Sequence, residues 1–252
     1  MKQYRIDQLS VRIYKDDLQL GAAAAELGEQ YVKKALEQRG KAVIVLASAS
    51  SQNLFLEAFI QKQIDWKNII VFHLDEYIGI SADHPASFRR YLHERILENT
   101  GIVQYYLIKG ENENSLLECK RLEKLFKKFQ VDVAFIGIGE NGHIAFNEPP
   151  ANFTEKSTFK IIELDEISRN QQVKEGWFKS LQAVPKKAIT MTIPAIMSAK
   201  SIICSVPGPR KAVAVKHTLT GMISPETPAS ILRQHSDATL FLDVESGSLM
   251  MK

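Results

Sequence analysis

Five consecutive apolar residues, Ala42–Leu46, separate two longer amphipathic stretches, and this alternation of short apolar runs with two-faced segments recurs down the chain. Strands covered by helices on both sides read this way. The pattern therefore commits the chain to an α/β fold built on a mostly parallel sheet. Between positions 16 and 38 the periodicity predicts a helix burying Leu18, Ala22, Ala25, Leu27, Val32 and Leu36, with Gly40 closing it. A small-residue segment follows the 42–46 strand, then a helix at 55–61. Further strands are expected at 69–74, 105–108, 133–138, 159–162, 188–192, 201–206 and 239–242. Further helices are expected at 86–97, 115–129, 170–178 and 210–220. The expected architecture is an open, doubly wound, Rossmann-like sheet with helices on both faces.

The chain has 252 residues, 45% of them hydrophobic, which is enough for a buried core. No repeat, low-complexity tract or Ser/Gly/Pro linker divides it, so one domain over residues 1–252 is expected. With 32 Lys plus Arg against 29 Asp plus Glu, the net charge of +3 supplies little attraction for nucleic acid. Nor do Trp66, Trp177, Tyr105 and Tyr106 interleave with basic clusters. Two cysteines, Cys119 and Cys204, exclude a disulfide scaffold or an all-cysteine zinc site and favour a reducing compartment. No apolar run reaches the roughly 18 residues that cross a bilayer, and the first nine residues lack a secretory pattern, so a cytoplasmic protein is expected. Periodicity leaves open whether the chain is a monomer or closes into a homo-oligomer.

In open parallel sheets the ligand crevice lies beyond the carboxyl ends of the strands, and three such ends carry chemistry here. At the first, Asp75 and Glu76 follow the apolar run Val71, Phe72, His73, Leu74. A carboxylate there either caps a turn or removes a carbon-bound proton from a substrate held beside it. At the second, Gly137, Gly139 and Gly142 precede His143, Asn147 and Glu148. The glycines permit close backbone approach, and imidazole changes charge near neutral pH. The same letters spell GxGxxG, a poor dinucleotide signal, since Pro149 and Pro150 follow too soon for a crossover helix. At the third, Pro207, Gly208, Pro209, Arg210 and Lys211 lead from a strand into a helix. Ser48, Ala49, Ser50 and Ser51 hold the equivalent position after 42–46, and hydroxyls, amides and cations converging in one cleft suit a phosphate. The six histidines form no HxH or HExxH pattern, so the sequence assigns no metal and no cofactor. The segment 148–158, rich in Pro, Ser, Thr and charge, reads as the root of a mobile cover.

Three blocks together resemble the glucosamine-6-phosphate deaminase family, within the larger group that includes 6-phosphogluconolactonases. They are Leu74-Asp75-Glu76-Tyr77 with His84-Pro85-Ala86-Ser87-Phe88, then Gly142-His143-Ile144-Ala145-Phe146-Asn147-Glu148-Pro149, and Val184-Pro185-Lys186-Lys187-Ala188-Ile189-Thr190. The resemblance covers nearly the whole chain, and the middle block favours the deaminase branch. It implies Asp75 as the base that moves a proton between C2 and C1, His143 as the group that opens the sugar ring, and Glu148 as its acidic partner. Asn141 stands where the family has a carboxylate. Asparagine can orient an imidazole but cannot carry the charge. Ser48-Ala49-Ser50-Ser51-Gln52 stands where the family has Thr-Gly-Gly/Ser-Thr-Pro, Lys211 matches its phosphate lysine, and its cover arginine aligns with Gly176, with Arg169 and Lys174 nearby. The implied reaction converts glucosamine 6-phosphate to fructose 6-phosphate and ammonia without a cofactor. Galactosamine 6-phosphate or another phosphosugar, lactone hydrolysis, and noncatalytic phosphosugar sensing are the alternatives.

Overall fold

Each apolar run forms a strand because neighbouring segments cover it from above and below. The computed structural model describes residues 1–164, 166–174 and 176–250, apart from the side chains of residues 167, 168 and 171. An antiparallel hairpin, β1 (Lys2–Ile6) and β2 (Leu9–Tyr14), begins the chain. Then come α1 (Asp17–Arg39), β3 (Ala42–Leu46), α2 (Asn53–Ile60), β4 (Ile69–His73), β5 (Asp75–Tyr77), α3 (Phe88–Leu92) and β6 (Gln104–Tyr106). The chain continues through α4 (Ser115–Phe126), β7 (Val133–Ile136), β8 (Phe159–Glu163), α5 (Glu166–Lys174), β9 (Lys187–Met191), α6 (Ile193–Met197), β10 (Ser201–Val206), α7 (Ala212–Thr220) and β11 (Ala238–Asp243).

Eight strands form the main sheet in the order β1-β2-β11-β10-β7-β3-β4-β6, all parallel from β2 onward. Strand alternation divides the core into two layers. Val43, Val45, Ile70, Phe72, Ala134, Ile136, Ile202 and Cys204 face α4, α6 and α7. Ile44, Leu46, Val71, Val133, Phe135 and Ile203 face α1 and α2. This is the doubly wound architecture that the sequence pattern predicts.

Two expected strands leave that sheet. β8 and β9 pair antiparallel, and β9 pairs with β5, giving a separate three-stranded sheet in the order β5-β9-β8. The burial of β8 alternates, unlike the continuously buried β3, β4 and β7, as expected of a strand with one wet face. On α1 the buried stripe also differs from the expected one. Leu18 and Ala22 are exposed, and the packed face is Leu20, Gly21, Ala24, Ala25, Gly28, Val32 and Ala35. Small residues win this face because α1 lies close to its neighbours. A Cβ on Gly28 would stand 2.7 Å from the Phe135 ring, and one on Gly21 would stand 2.8 Å from the Leu54 backbone. Asp16 caps α1 by accepting the Gln19 N–H, and Gly40 ends it at φ +68°. Among the described residues, no helix is long and apolar enough to cross a membrane.

Candidate active site

From β3 the chain winds outward through β4 and β6, then returns to β7 on the other side of β3 and continues to β10 and β11. The direction reverses between β3 and β7, and it is beyond the carboxyl ends of the strands at such a reversal that open parallel sheets bind ligands. The segments 48–51, 137–148 and 207–211 follow β3, β7 and β10, and Asp75 follows β4 at the start of β5; β10, β7, β3 and β4 are consecutive parallel neighbours, which brings these chain ends to one edge. Hydrogen bonds knit those loops together. Leu74 N–H donates to Leu46 O at 3.1 Å, Ala47 N–H to Phe135 O at 2.9 Å, and Gln52 Nε2 to Ser205 O at 3.2 Å. Arg210 Nε lies 3.4 Å from Glu140 Oε1, joining the loop after β10 to that after β7.

Asp75 emerges where the chain leaves β4 and enters β5, opposite Thr190 of β9. It is only 8% exposed. Burial pushes its carboxyl up to about 8, and the charge of adjacent Glu76 adds to the rise. Asp75 thus holds or releases a proton near neutrality. Glu76 is engaged differently: Ser87 Oγ donates to it at 2.7 Å, Arg89 N–H at 3.0 Å and Phe88 N–H at 3.2 Å. It fixes the start of α3, which is the turn-capping role rather than the chemical one. His73, fully buried, is driven down to about 3 by burial and then by the Arg89 charge. Its neutral ring accepts the Ile108 N–H through Nε2 at 2.8 Å.

The loop after β7 holds the imidazole. His143 Nδ1 lies 2.7 Å from Glu148 Oε1, with both side chains partly exposed. Asn141 Nδ2 donates to Glu148 Oε2, and Asn141 Oδ1 accepts the His143 backbone N–H at 3.1 Å. Asn141 therefore steers both partners. Gly139 is required by the ring itself, since a Cβ there would fall 2.2 Å from His143 Nε2. Gly142 turns at φ +89°, a conformation open to glycine at little cost. Two further hydrogen bonds tie this loop to the acid side. Phe146 N–H donates to Thr190 Oγ1 at 3.1 Å, and buried Asn147 donates to Met191 O at 2.9 Å. Thr190 sits opposite Asp75, so β9 is hydrogen-bonded both to the strand that carries Asp75 and to the loop that carries His143. Spacing alone gave no sign of Thr190, although it closes the third family-like block.

On the anion side, Ser48 is buried and its Oγ has no partner among the described residues. Ser50 and Ser51 lie in the turn before α2. Ala49 takes φ −139°, extended backbone in which a methyl group is unstrained, so glycine is unnecessary there. Tyr91 OH pins that turn by donating to Ala49 O at 2.9 Å. Gln52 replaces the family's proline and uses its amide to bridge to Ser205 O. Lys211 lies in the turn before α7, after Gly208 at φ +91°, whose N–H donates to Asp243 Oδ2 at 2.8 Å. Gly176, at the family's arginine position, is exposed. Arg169 does not reach across for it: its guanidinium donates to Leu181 O and Val184 O at 2.6 and 3.0 Å. The segment 148–158 is anchored at both ends, by Ala151 N–H to Pro225 O at 3.0 Å and Thr192 Oγ1 to Ser157 O at 2.7 Å.

Residues 15–241 match the sequence family of glucosamine-6-phosphate isomerases/6-phosphogluconolactonase. The glucosamine-6-phosphate deaminase of Thermoanaerobacter pseudethanolicus is 34% identical over 239 residues, covering 92% of this chain and 91% of its own. That of Listeria innocua is 34% identical over 225 residues, covering 86% and 94%. Among solved structures, a monomeric glucosamine-6-phosphate deaminase superimposes with a TM-score of 0.87 at 33% identity, over 95% of this chain and 99% of that one. A 6-phosphogluconolactonase from Neisseria gonorrhoeae reaches 0.74 at 19% identity, a likeness of fold.

Proposed function

The chain belongs to the glucosamine-6-phosphate isomerase/6-phosphogluconolactonase family, and from that premise we propose that it is an amino-sugar phosphate deaminase/isomerase converting glucosamine 6-phosphate to fructose 6-phosphate and ammonia. The observation that carries this reading is the sharing of β9 by an acid poised near neutrality and a carboxylate-backed imidazole.

His143, oriented by Glu148 and Asn141, passes a proton to the ring oxygen and opens the sugar to its aldehyde. Asp75 in its ionised form takes the C2 proton and returns it to C1, turning the aldose into a ketose-level imine at C2. Water adds there and ammonia leaves, so each proton taken from carbon is returned to carbon. The serine turn and Lys211 hold the phosphate at the far end. Binding energy spent there keeps C1 and C2 within reach of the carboxylate.

The test is a panel of phosphosugars with ammonia and ketose measured in parallel. Turnover of glucosamine 6-phosphate is expected. Turnover of another amino-sugar phosphate without it rejects the substrate named here, and ketose without ammonia rejects the deaminase step.

A further inference from the structure

Gln52 ends the serine turn, at a position where a proline would have no side-chain amide to offer. It is buried, and its Nε2 lies 3.2 Å from Ser51 Oγ and 3.2 Å from Ser205 O. The Ser205 carbonyl can only accept, so the amide is oriented with its nitrogen inward, and its hydrogens serve these two oxygens. Ser51 therefore receives a hydrogen bond from its neighbour, and its own O–H cannot point at the amide. Among the described residues nothing accepts that hydrogen. Ser51 is half-buried, which leaves the hydroxyl open to a ligand, and buried Ser48 in the same turn has an Oγ without a partner among the described residues. Gly137 makes room for this arrangement. A Cβ there would stand 3.1 Å from Gln52 Nε2, 3.5 Å from Ser205 O and 3.6 Å from Ser51 Oγ, and Gly137 has no positive φ that would call for glycine on its own account. The loops after β3 and β7 and the end of β10 thus meet around one amide.

We propose that Gln52 is a positioning residue for the anion subsite: it occupies an acceptor lone pair of Ser51 and so leaves that hydroxyl set to donate to the substrate's phosphate. The inference rests on reading the serine turn as the phosphate-binding turn, and it gives a role to a residue that touches no substrate itself. An unrestrained hydroxyl rotates and is as ready to accept as to donate. A phosphate group offers acceptor oxygens, so a hydroxyl that must first be turned binds it less well than one already turned. The turn that carries Ser51 is itself fixed. Gln52 N–H donates to Ala49 O at 2.8 Å, and Tyr91 OH donates to the same carbonyl at 2.9 Å.

The experiment reads anion binding without turnover. Full-length protein is titrated with inorganic phosphate by isothermal titration calorimetry. Gln52→Met keeps the length of the side chain and removes its donors, and it is expected to weaken phosphate binding by about three- to tenfold. Ser51→Ala is expected to weaken it by at least as much, because a hydrogen bond to a charged group is lost. The double variant separates acting through the hydroxyl from merely bracing the loops. In Ser51→Ala protein, Gln52→Met is expected to add a loss of less than about twofold, since the group it orients is already gone. A further loss as large as that seen in the wild type overturns the proposal, as does unchanged phosphate binding in either single variant. Gln52→Asn withdraws the amide by one methylene and takes the place of Gln52→Met, with the same expectations, if the latter does not fold. With glucosamine 6-phosphate the loss is expected in KM, with kcat within a factor of about two. A wild-type protein that binds no phosphate overturns the anion-site reading itself, and the proposal with it.

Discussion

Asn141 holds Glu148 by a hydrogen bond from Nδ2 to Oε2, while its own Oδ1 is committed to the His143 N–H. The amide has one workable orientation, since reversing it would set Nδ2 against an N–H donor. Glu148 is thereby turned so that Oε1 meets His143 Nδ1 at 2.7 Å. Asn141→Ala removes the restraint and leaves the charge of Glu148 intact. A bond to a charged group is worth roughly 1.5–3 kcal/mol, so kcat is expected to drop by about tenfold or more, with KM within a factor of about two. Steady-state kinetics on glucosamine 6-phosphate decides it. A KM effect without a kcat effect would place Asn141 with the binding groups.

Asp75→Asn separates chemistry from stability. Proton transfer by a placed side chain contributes about 10²–10⁴-fold, and turnover is expected to fall by that order while substrate binding persists. In the wild type, kcat/KM should rise with pH as Asp75, pushed up to about 8 by burial, ionises. Stability runs the other way. The folded protein binds this proton more tightly than the unfolded chain, so the stabilisation is complete below the ordinary aspartate range and is lost as pH rises through about 8. Asparagine has no charge to bury. Thermal melts from pH 5 to 9 are expected to show Asp75→Asn gaining on the wild type as pH increases, and a constant difference would contradict the assigned shift.

Much of this site was legible because its residues sit at strand ends, and strand ends are marked by apolar runs that stop. Asp75 and Lys211 lie shortly past such a run and His143 and Glu148 farther along the loop that follows one, and the strand order brings these segments to one edge. What periodicity missed depends on three-dimensional pairing. Nothing in the run 188–192 distinguishes a strand of the main sheet from one that crosses to pair with Asp75–Tyr77, yet that choice places Thr190 between the two halves of the site. The α1 stripe was misread for a related reason. Counting apolar residues favours leucines, whereas close helix packing selects glycine and alanine, a preference visible only once Phe135 and Leu54 are known to lie opposite.

That contact makes Gly28 a sensitive position. A methyl group there would meet the Phe135 ring at 2.7 Å, and the ring is itself stacked on Phe55 and tilted against Phe59, with centroids 4.8 and 5.1 Å away. Alanine would ordinarily favour the helix over glycine, by about 1 kcal/mol. Overpacking costs about 1–3 kcal/mol and should prevail, so Gly28→Ala is expected to lower the urea midpoint without changing the slope. A stabilised variant would mean that the aromatic cluster yields freely.

Gly139→Ala probes the same physics inside the site. Its new Cβ would overlap the His143 ring at 2.2 to 2.4 Å, and the imidazole must swing away from Glu148. Turnover is expected to fall at least tenfold, about 1.4 kcal/mol, with far-ultraviolet circular dichroism unchanged. Near-normal turnover would show that the ring can act from another position.

Lys211 tests the remote end of the crevice. It follows the carboxyl end of β10, in the turn before α7, and the serine turn after β3 lies across the β7 strand from it. If these two loops grip the phosphate together, its binding energy reaches the reaction only by fixing C1 and C2 near Asp75. Lys211→Ala is then expected to raise KM by about tenfold or more, because a charge-assisted hydrogen bond is roughly twice as strong as a neutral one. The kcat effect should be smaller, and inorganic phosphate should lose potency as a competitive inhibitor by a similar factor. Unchanged phosphate inhibition alongside a raised KM would move the anion site away from Lys211 and leave the serine turn to hold it.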